Sequence, residues 1–148
     1  MDDPFGLERF LHAQEAAYEP AMAELRQGRK QGHWMWYVFP QLAGLGKSEM
    51  AQRYSISGRD EAAAYLQHRV LGSRLVASAR VVAGTSVAAA EDLFGPLDAV
   101  KLRSSMTLFK LAALDAGEQV ALTVCGIVLD RFYGGHPDPA TIDLLAAA

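Results

Sequence analysis

The sequence has little that would cross-link it, carry it into a membrane or hold a metal ion. Only Cys125 is a cysteine among 148 residues, so an internal disulfide is impossible and paired-cysteine metal motifs are absent. No apolar run reaches the roughly 18 residues that a membrane span needs. The segment MDDPFGLERF is acidic where a signal peptide would be basic, and the four histidines are isolated. We therefore expect a soluble, cytoplasmic protein with no membrane partner, no metal and no cofactor, and with Cys125 as an inert core thiol.

A strongly basic character is also missing. The 14 lysines and arginines face 17 aspartates and glutamates, which gives a formal net charge of -3. A dedicated nucleic-acid binder normally carries a basic face, so this balance makes nucleic acid an unlikely partner. Hydrophobic residues make up 51% and charged residues 21%, which is typical of a globular chain. The length favours one domain over residues 1–148.

Three well-known site motifs are incomplete. The segment LAGLGKS at 42–48 resembles a phosphate-binding loop, but that motif requires a glycine where Gln41 stands. Gly44 and Gly46 lack the third glycine of a dinucleotide fingerprint. Ser104 and Ser105 have no G-x-S-x-G setting, so a hydrolase elbow is not indicated.

Helical periodicity dominates what is present. Alanine, the best helix former, occurs 25 times, and valine and isoleucine form no clean alternating strand. We predict an all-α, compact multihelical single domain of about six to eight helices with an aromatic-rich irregular loop at 32–46, containing at most one helical turn. Turn signals and spacing place a first helix from Asp3-Pro4 to a break or kink near Glu19, where Pro20 interrupts the run, and a second short helix through Met22 and Leu25 that Gly28 caps. Further helices are expected from the cap Ser48 through Tyr54, from Asp60 through Leu66, and over 68–82, 86–94, 97–114 and 118–132. A terminal helix begins at Asp138-Pro139, with Asp138 as its cap.

The helix predicted over 97–114 has apolar residues on two sides, which is typical of a helix sandwiched between neighbours. A polar stripe of Arg103, Thr107 and Lys110 suits solvent. A second polar group lies between the apolar arcs and contains Asp98, Lys101 and Ser105. Two interpretations stay open for this group: an exposed Asp98–Lys101 pair at i,i+3, or a pocket lined by Lys101 and Ser105 with Asp98 holding the lysine.

The densest chemistry lies in the segment 26–41. Arg29, Lys30 and His33 precede Trp34, Met35, Trp36, Tyr37, Phe39 and Gln41. Aromatic faces stack on flat rings, and arginine or lysine supplies charge for phosphate or carboxylate. These residue types fit a ligand-binding site. The alternative interpretation is an aromatic core segment with a solvated basic flank.

Several segments together resemble the domain-of-unknown-function 1810 (DUF1810) family. They are GRKQGHWMWYVFPQLAGLGKS at 28–48, AAAYLQHRVLGSRL at 62–75 and FGPLDAVKLRSSMTLF at 94–109, with fitting segments near both ends. The sequence departs from the family pattern at Ser55 and Arg69, both at expected turns. The resemblance implies a small multihelical fold and no established reaction. Some relatives carry a calpastatin label, but such inhibitors are extended and highly charged, unlike this composition.

With this resemblance we expect a shared site at His33, Trp34, Trp36, Tyr37, Gln41, Lys101, Ser104 and Ser105. In the first hypothesis this site binds an anionic small molecule, such as a nucleotide or an ADP-ribose-like ligand. Catalytic roles then fall to His33, as acid or base, and to Lys101, while the ligand is bound by Arg29, Lys30, Trp34, Trp36, Tyr37, Gln41, Ser104 and Ser105. In the second hypothesis the chain is a non-enzymatic interaction module that uses the aromatic stretch 33–41. The sequence does not settle the oligomeric state.

Overall fold

The structure is a computed structural model that describes residues 2–147, and these residues form nine helices. Their bounds are α1 Glu8–Gln27, α2 Met35–Val38, α3 Glu49–Arg53, α4 Arg59–Gln67, α5 Arg69–Gly84, α6 Ala90–Phe94, α7 Pro96–Ala116, α8 Gln119–Tyr133 and α9 Pro139–Ala147. The all-α class is confirmed. The number exceeds the expected six to eight because the single turn α2 inside the irregular segment counts as a helix. Within residues 2–147, no helix is both long and apolar enough to cross a membrane.

Helix α7 is the centre of the fold and packs against α4, α6, α8 and α9. Leu102 and Met106 on one predicted apolar side of this helix are buried, and so are Leu108 and Ala112 on the other, which confirms the predicted sandwich for these turns. Leu97 and Val100, at the start of the helix, are exposed instead. The predicted solvent stripe is wrong at Thr107, which is buried. The start of α9 covers this residue, and the backbone N–H of Asp138 donates to Thr107 Oγ1 at 2.9 Å.

A break near Glu19 with a second short helix after it is not found, because α1 is one helix from Glu8 to Gln27 with Pro20 inside it. A proline inside a helix costs about 3 kcal/mol, and packing on both sides of it offsets that cost here. Phe10 lies buried before the proline, and Met22 and Leu25 lie buried after it. Both halves of α1 thus share one apolar face, which a break would misalign.

The chain enters α1 later than Asp3-Pro4 predicts. Asp3 lies ahead of the helix, and its carboxylate accepts hydrogen bonds from the backbone N–H groups of Leu7 at 2.8 Å and Glu8 at 3.1 Å. These donors are among those that a helix start leaves without partners, so Asp3 caps α1 across a short turn. The hydrogen bonds to Glu8 and Leu7 lower the pKa of Asp3.

Several predicted caps are confirmed. Ser48 Oγ accepts from the N–H of Ala51 at 3.1 Å, and Gly28 ends α1 with a left-handed φ of 84°. The start of α5 has an unforeseen cap, since His68 Nδ1 accepts from the N–H groups of Val70 and Leu71 at 3.2 Å each.

Backbone hydrogen bonds fasten the segment 26–41, here called the aromatic segment, to the rest of the fold on both sides of its aromatic residues. The backbone N–H of Lys30 donates to Leu93 O at 2.7 Å. Farther along, an isolated parallel bridge joins Leu42 to Ile56, where Ile56 N–H donates to Gln41 O at 2.9 Å. This bridge fixes the backbone at Gln41 and sets the direction of the loop 41–46 that follows.

Candidate functional site

An ion network links Lys30, in the aromatic segment, to the start of α7. Lys30 Nζ lies 2.8 Å from Asp98 Oδ2, and Lys101 Nζ lies 3.3 Å from Asp98 Oδ1. The Lys30 side chain is only 8% exposed, whereas that of Lys101 is 33% exposed. Lys30 also donates to Gly32 O and lies over the Trp34 ring, 4.9 Å from its centroid. Lys30 is therefore committed to the protein, and Lys101 is the lysine of this network that solvent reaches.

Of the two expected interpretations, the structure contains the i,i+3 pair of Asp98 and Lys101. Asp98 is also shared with a second lysine that sequence spacing does not indicate. Lys101 Nζ also lies 5.8 Å from the centroid of the Trp36 ring. The lysine is thus held between a carboxylate and an aromatic face.

Trp34 belongs to the core. It is 3% exposed, and its ring packs near Phe39 and Phe94 with centroids 6.3 Å and 6.4 Å away. Its indole Nε1–H donates to Glu24 Oε1 at 2.9 Å. Core side chains cover the Trp34 ring, so the ring has no open face on which a ligand could stack as expected.

Glu24 was not foreseen as a residue of this region, yet it holds the turn before Trp34. Its Oε1 accepts from the N–H groups of Gln31 at 2.7 Å and Gly32 at 2.8 Å, in addition to the indole. Burial raises the pKa of Glu24, but the three hydrogen bonds outweigh it, and the net pKa lies below the ordinary value. No local motif marks this role, since the partners lie seven to ten positions along the chain.

The other expected residues of this segment lie nearer the surface. Trp36 and Tyr37 are half-buried, while Arg29 and His33 are exposed. Tyr37 donates its hydroxyl to His33 O at 3.1 Å, and burial raises the pKa of Tyr37. Because Trp34, Met35, Val38 and Phe39 are buried, the stretch 33–41 does not form a flat exposed aromatic patch.

One groove does join the two regions that the sequence singled out, and we call it the α7 groove. It lies between the loop 41–46, the first turns of α7 and the start of α9, and its volume is about 330 Å³. Its lining consists of Gln41, Leu45, Gly46, Leu97, Val100, Lys101, Ser104, Asp138 and Ala140. A Cβ on Gly46 would lie 2.5 Å from Ala51 Cβ, so the loop turns close against α3 where only glycine fits.

Of the expected site residues, the structure brings Gln41, Lys101 and Ser104 together in the α7 groove. The groove lining does not include the others, which are Arg29, Lys30, His33, Trp34, Trp36, Tyr37 and Ser105. Trp36 approaches the groove indirectly through its contact with Lys101. His33, expected as an acid or base, is exposed and makes its hydrogen bond to Tyr37 through its backbone carbonyl.

Asp138 is the groove residue that sequence reasoning recognised only as a helix cap. Its Oδ2 accepts from Ser104 Oγ at 2.9 Å, from Thr141 Oγ1 at 2.6 Å and from Thr141 N–H at 3.2 Å. Arg103 supports the same junction by donating to His136 O and Pro137 O at 3.0 Å each. Ser104 and Asp138 thus form a fixed polar wall where α9 meets α7.

Ser105 lies on the inner side of α7. It is fully buried, and its Oγ has no hydrogen-bond partner among the described residues. An unpaired buried hydroxyl is destabilising, since it loses water without gaining a partner. Ser104 and Ser105 therefore differ sharply in their surroundings although they are adjacent.

Comparison with known proteins agrees with this architecture. The model of a family described as "Protein of unknown function (DUF1810)" matches residues 4–145. The chain belongs to the DUF1810 family. The family's description names no reaction or ligand.

A solved structure shares the whole fold of this DUF1810 protein. The crystal structure of the conserved hypothetical protein Rv1873 from Mycobacterium tuberculosis superimposes with a TM-score of 0.92 at 47% sequence identity. The match covers 99% of this chain and 100% of the other. No curated protein matches the chain.

Proposed function

We propose that this protein binds a small ligand in the α7 groove and that Lys101 pairs with an anionic group on it. The observation that carries this proposal is the meeting of Gln41 with Lys101 and Ser104 in one groove. Gln41 belongs to the aromatic segment, whereas the other two lie on α7. A groove of about 330 Å³ is within the range of small-molecule sites.

The lining favours a ligand that is partly apolar. Leu97 is 79% exposed and Val100 is 61% exposed, and both border the groove. Leu45 and Ala140 add apolar surface on the loop and on α9. A ligand seated here would cover apolar side chains that otherwise face water, and the burial of that surface stabilises a complex.

The number of cations argues for one anionic group rather than several. Lys101 is the one positively charged residue in the lining. Lys30 is held by Asp98 and Gly32, and Arg29 is not part of the lining. A nucleotide or an ADP-ribose-like ligand carries several phosphate charges, so a monoanionic ligand is the better match to this groove.

The ligand is best sought with a probe that has one carboxylate and an aliphatic body. We expect 4-methylpentanoate to bind at about millimolar concentration, which is ordinary for a ligand of this size. In a ¹⁵N-resolved NMR titration, the shifted amides should cluster at 41–46, 97–104 and 138–141. Shifts centred elsewhere, or absent at saturating probe, would contradict the proposal.

A further inference from the structure

We infer that the ligand of the α7 groove is a zwitterion that also carries an aliphatic body, with an ammonium group that pairs with Asp138 and a carboxylate that pairs with Lys101. This inference rests on the proposed function and narrows it to one class of ligand. Free aliphatic amino acids and short peptides share this chemistry.

The two oxygens of Asp138 have different surroundings. Oδ2 accepts all three hydrogen bonds that Ser104 and Thr141 supply to this carboxylate. Oδ1 accepts none of these three bonds. Within residues 2–147, Ser105 Oγ is the one side-chain polar atom that is both sealed from solvent and without a partner, so Oδ1 keeps some contact with solvent. Asp138 lines the groove and is 9% exposed, and a ligand that pairs with its carboxylate there would meet Oδ1, the oxygen that these three hydrogen bonds leave free.

An unpaired carboxylate oxygen in such a setting favours a charged donor. Three donors and the neighbouring helices hold Asp138 in place, so a ligand finds the acceptor already oriented. A preorganised acceptor costs less to engage than a mobile surface carboxylate. An ammonium adds the attraction between opposite charges to the hydrogen bond, which a neutral hydroxyl cannot supply, and this favours an ammonium over a hydroxyl.

The charge balance of the groove leads to the same class of ligand. Lys101 and Asp138 are its two charged lining residues, one of each sign. A purely anionic ligand would satisfy Lys101 but bring a second negative charge near Asp138. A purely cationic ligand would pair with Asp138 but bring a second positive charge near Lys101. A zwitterion pairs both, and Leu45, Leu97 and Val100 can then contact its aliphatic part.

Three probes with the same branched aliphatic body separate these cases. L-leucine carries both charged groups, 4-methylpentanoate lacks the ammonium, and isopentylamine lacks the carboxylate. We expect L-leucine, or the dipeptide L-alanyl-L-leucine, to bind at least tenfold more tightly than either singly charged probe in NMR titrations of the full chain. Tighter binding of L-leucine than of the dipeptide would indicate a free amino acid as the ligand, and the reverse would indicate a short peptide.

The variant Asp138→Asn isolates the groove-facing oxygen. Asparagine is a good helix cap, so its side-chain oxygen can replace Oδ2 while its NH₂ group faces the groove. We expect this variant to lose the tenfold preference for L-leucine over 4-methylpentanoate. The comparison of probes on the unmodified protein needs no variant and decides the matter even if Asp138→Asn folds poorly.

The outcomes separate the inference from the function on which it rests. If 4-methylpentanoate binds in the groove as tightly as both zwitterionic probes, the inference is wrong and the proposed function stands. If none of the probes binds in the groove, both are wrong. Equal zwitterion preference in Asp138→Asn and the unmodified protein would also overturn the role given to Asp138.

Discussion

Lys30 and Asp98 form an ion pair at 2.8 Å with side chains that are 8% and 19% exposed. The pair joins the aromatic segment to the first turn of α7. Asp98 also pairs with Lys101 at 3.3 Å, so one carboxylate serves two lysines, and only one of these lines the α7 groove. The position of the groove lysine therefore depends on a residue that is not part of the groove lining.

Removing the shared carboxylate should destabilise the protein more than removing the buried lysine. In Asp98→Ala, Lys30 remains nearly buried without its partner, and we expect the free energy of unfolding to fall by roughly 2–3 kcal/mol. In Lys30→Met, Asp98 keeps Lys101, and we expect a loss of about 1 kcal/mol. Urea denaturation of both variants measures the difference. Equal losses would show that the pair contributes as an ordinary surface salt bridge.

Replacement of the two adjacent serines of α7 by alanine should have different effects on stability. Ser104→Ala removes a hydrogen bond to Asp138 Oδ2, and we expect the free energy of unfolding to fall by about 1–2 kcal/mol. Ser105→Ala removes a buried hydroxyl that has no partner within residues 2–147, so stability should be unchanged or rise by up to about 1 kcal/mol. Each variant is the control for the other in thermal or urea unfolding. A large loss in Ser105→Ala would mean that its hydroxyl has a partner after all.

Gly72 is required by a close approach of two helices. A Cβ at this position would lie 2.0 Å from Leu66 O, which is backbone at the end of α4. Gly72→Ala must therefore displace α4 from α5, and we expect a loss of more than about 3 kcal/mol or failure to fold. Gly84 on the same helix has open space around its Cβ position. Gly84→Ala should be neutral or slightly stabilising, and comparable losses in both variants would refute this interpretation.

The pKa of Glu24 predicts a dependence of stability on acid. Its pKa is lowered in the folded protein, because hydrogen bonds from Gly32, Gln31 and Trp34 outweigh burial. A carboxyl of this kind contributes stability above its unfolded pKa of about 4.5, and that contribution is lost as pH falls through the folded value. Glu24→Gln should therefore lose less stability than the unmodified protein between about pH 5 and pH 3.

Urea titrations at a series of pH values provide the check. Glu19→Gln, at an exposed position on the same helix, is the matched control and should keep the full pH dependence. Identical pH profiles for Glu24→Gln and the unmodified protein would show that the Glu24 hydrogen bonds do not respond to acid over this range.

The helical framework was predictable because its signals are local. Ser48 and Gly28 mark helix ends through contacts within a few positions, and the two-sided apolar pattern of α7 predicts the burial of its middle turns. Pro20 misled the prediction because long-range packing outweighs a local cost. The exposure of Thr107 was predicted wrongly because the element that covers it, the start of α9, lies about thirty positions away along the chain.

The site was only half predictable for the same reason. The family resemblance places Gln41, Lys101 and Ser104 in the expected site, and these three residues meet in the groove. Trp34 has equally suggestive chemistry, but Glu24 and the aromatic core enclose it. Asp138 looked like a helix cap and is one, and its second oxygen acquires a role only when α9 is placed beside α7.

The central claim is that Lys101 in the α7 groove is the cation that a ligand meets. The most direct test is an NMR titration of 4-methylpentanoate into the unmodified protein, Lys101→Ala and Lys110→Ala. Lys110 is a half-buried lysine on the same helix and does not line the groove. We predict that Lys101→Ala raises the dissociation constant at least tenfold, whereas Lys110→Ala changes it less than twofold. Equal affinities for Lys101→Ala and the unmodified protein would contradict the account.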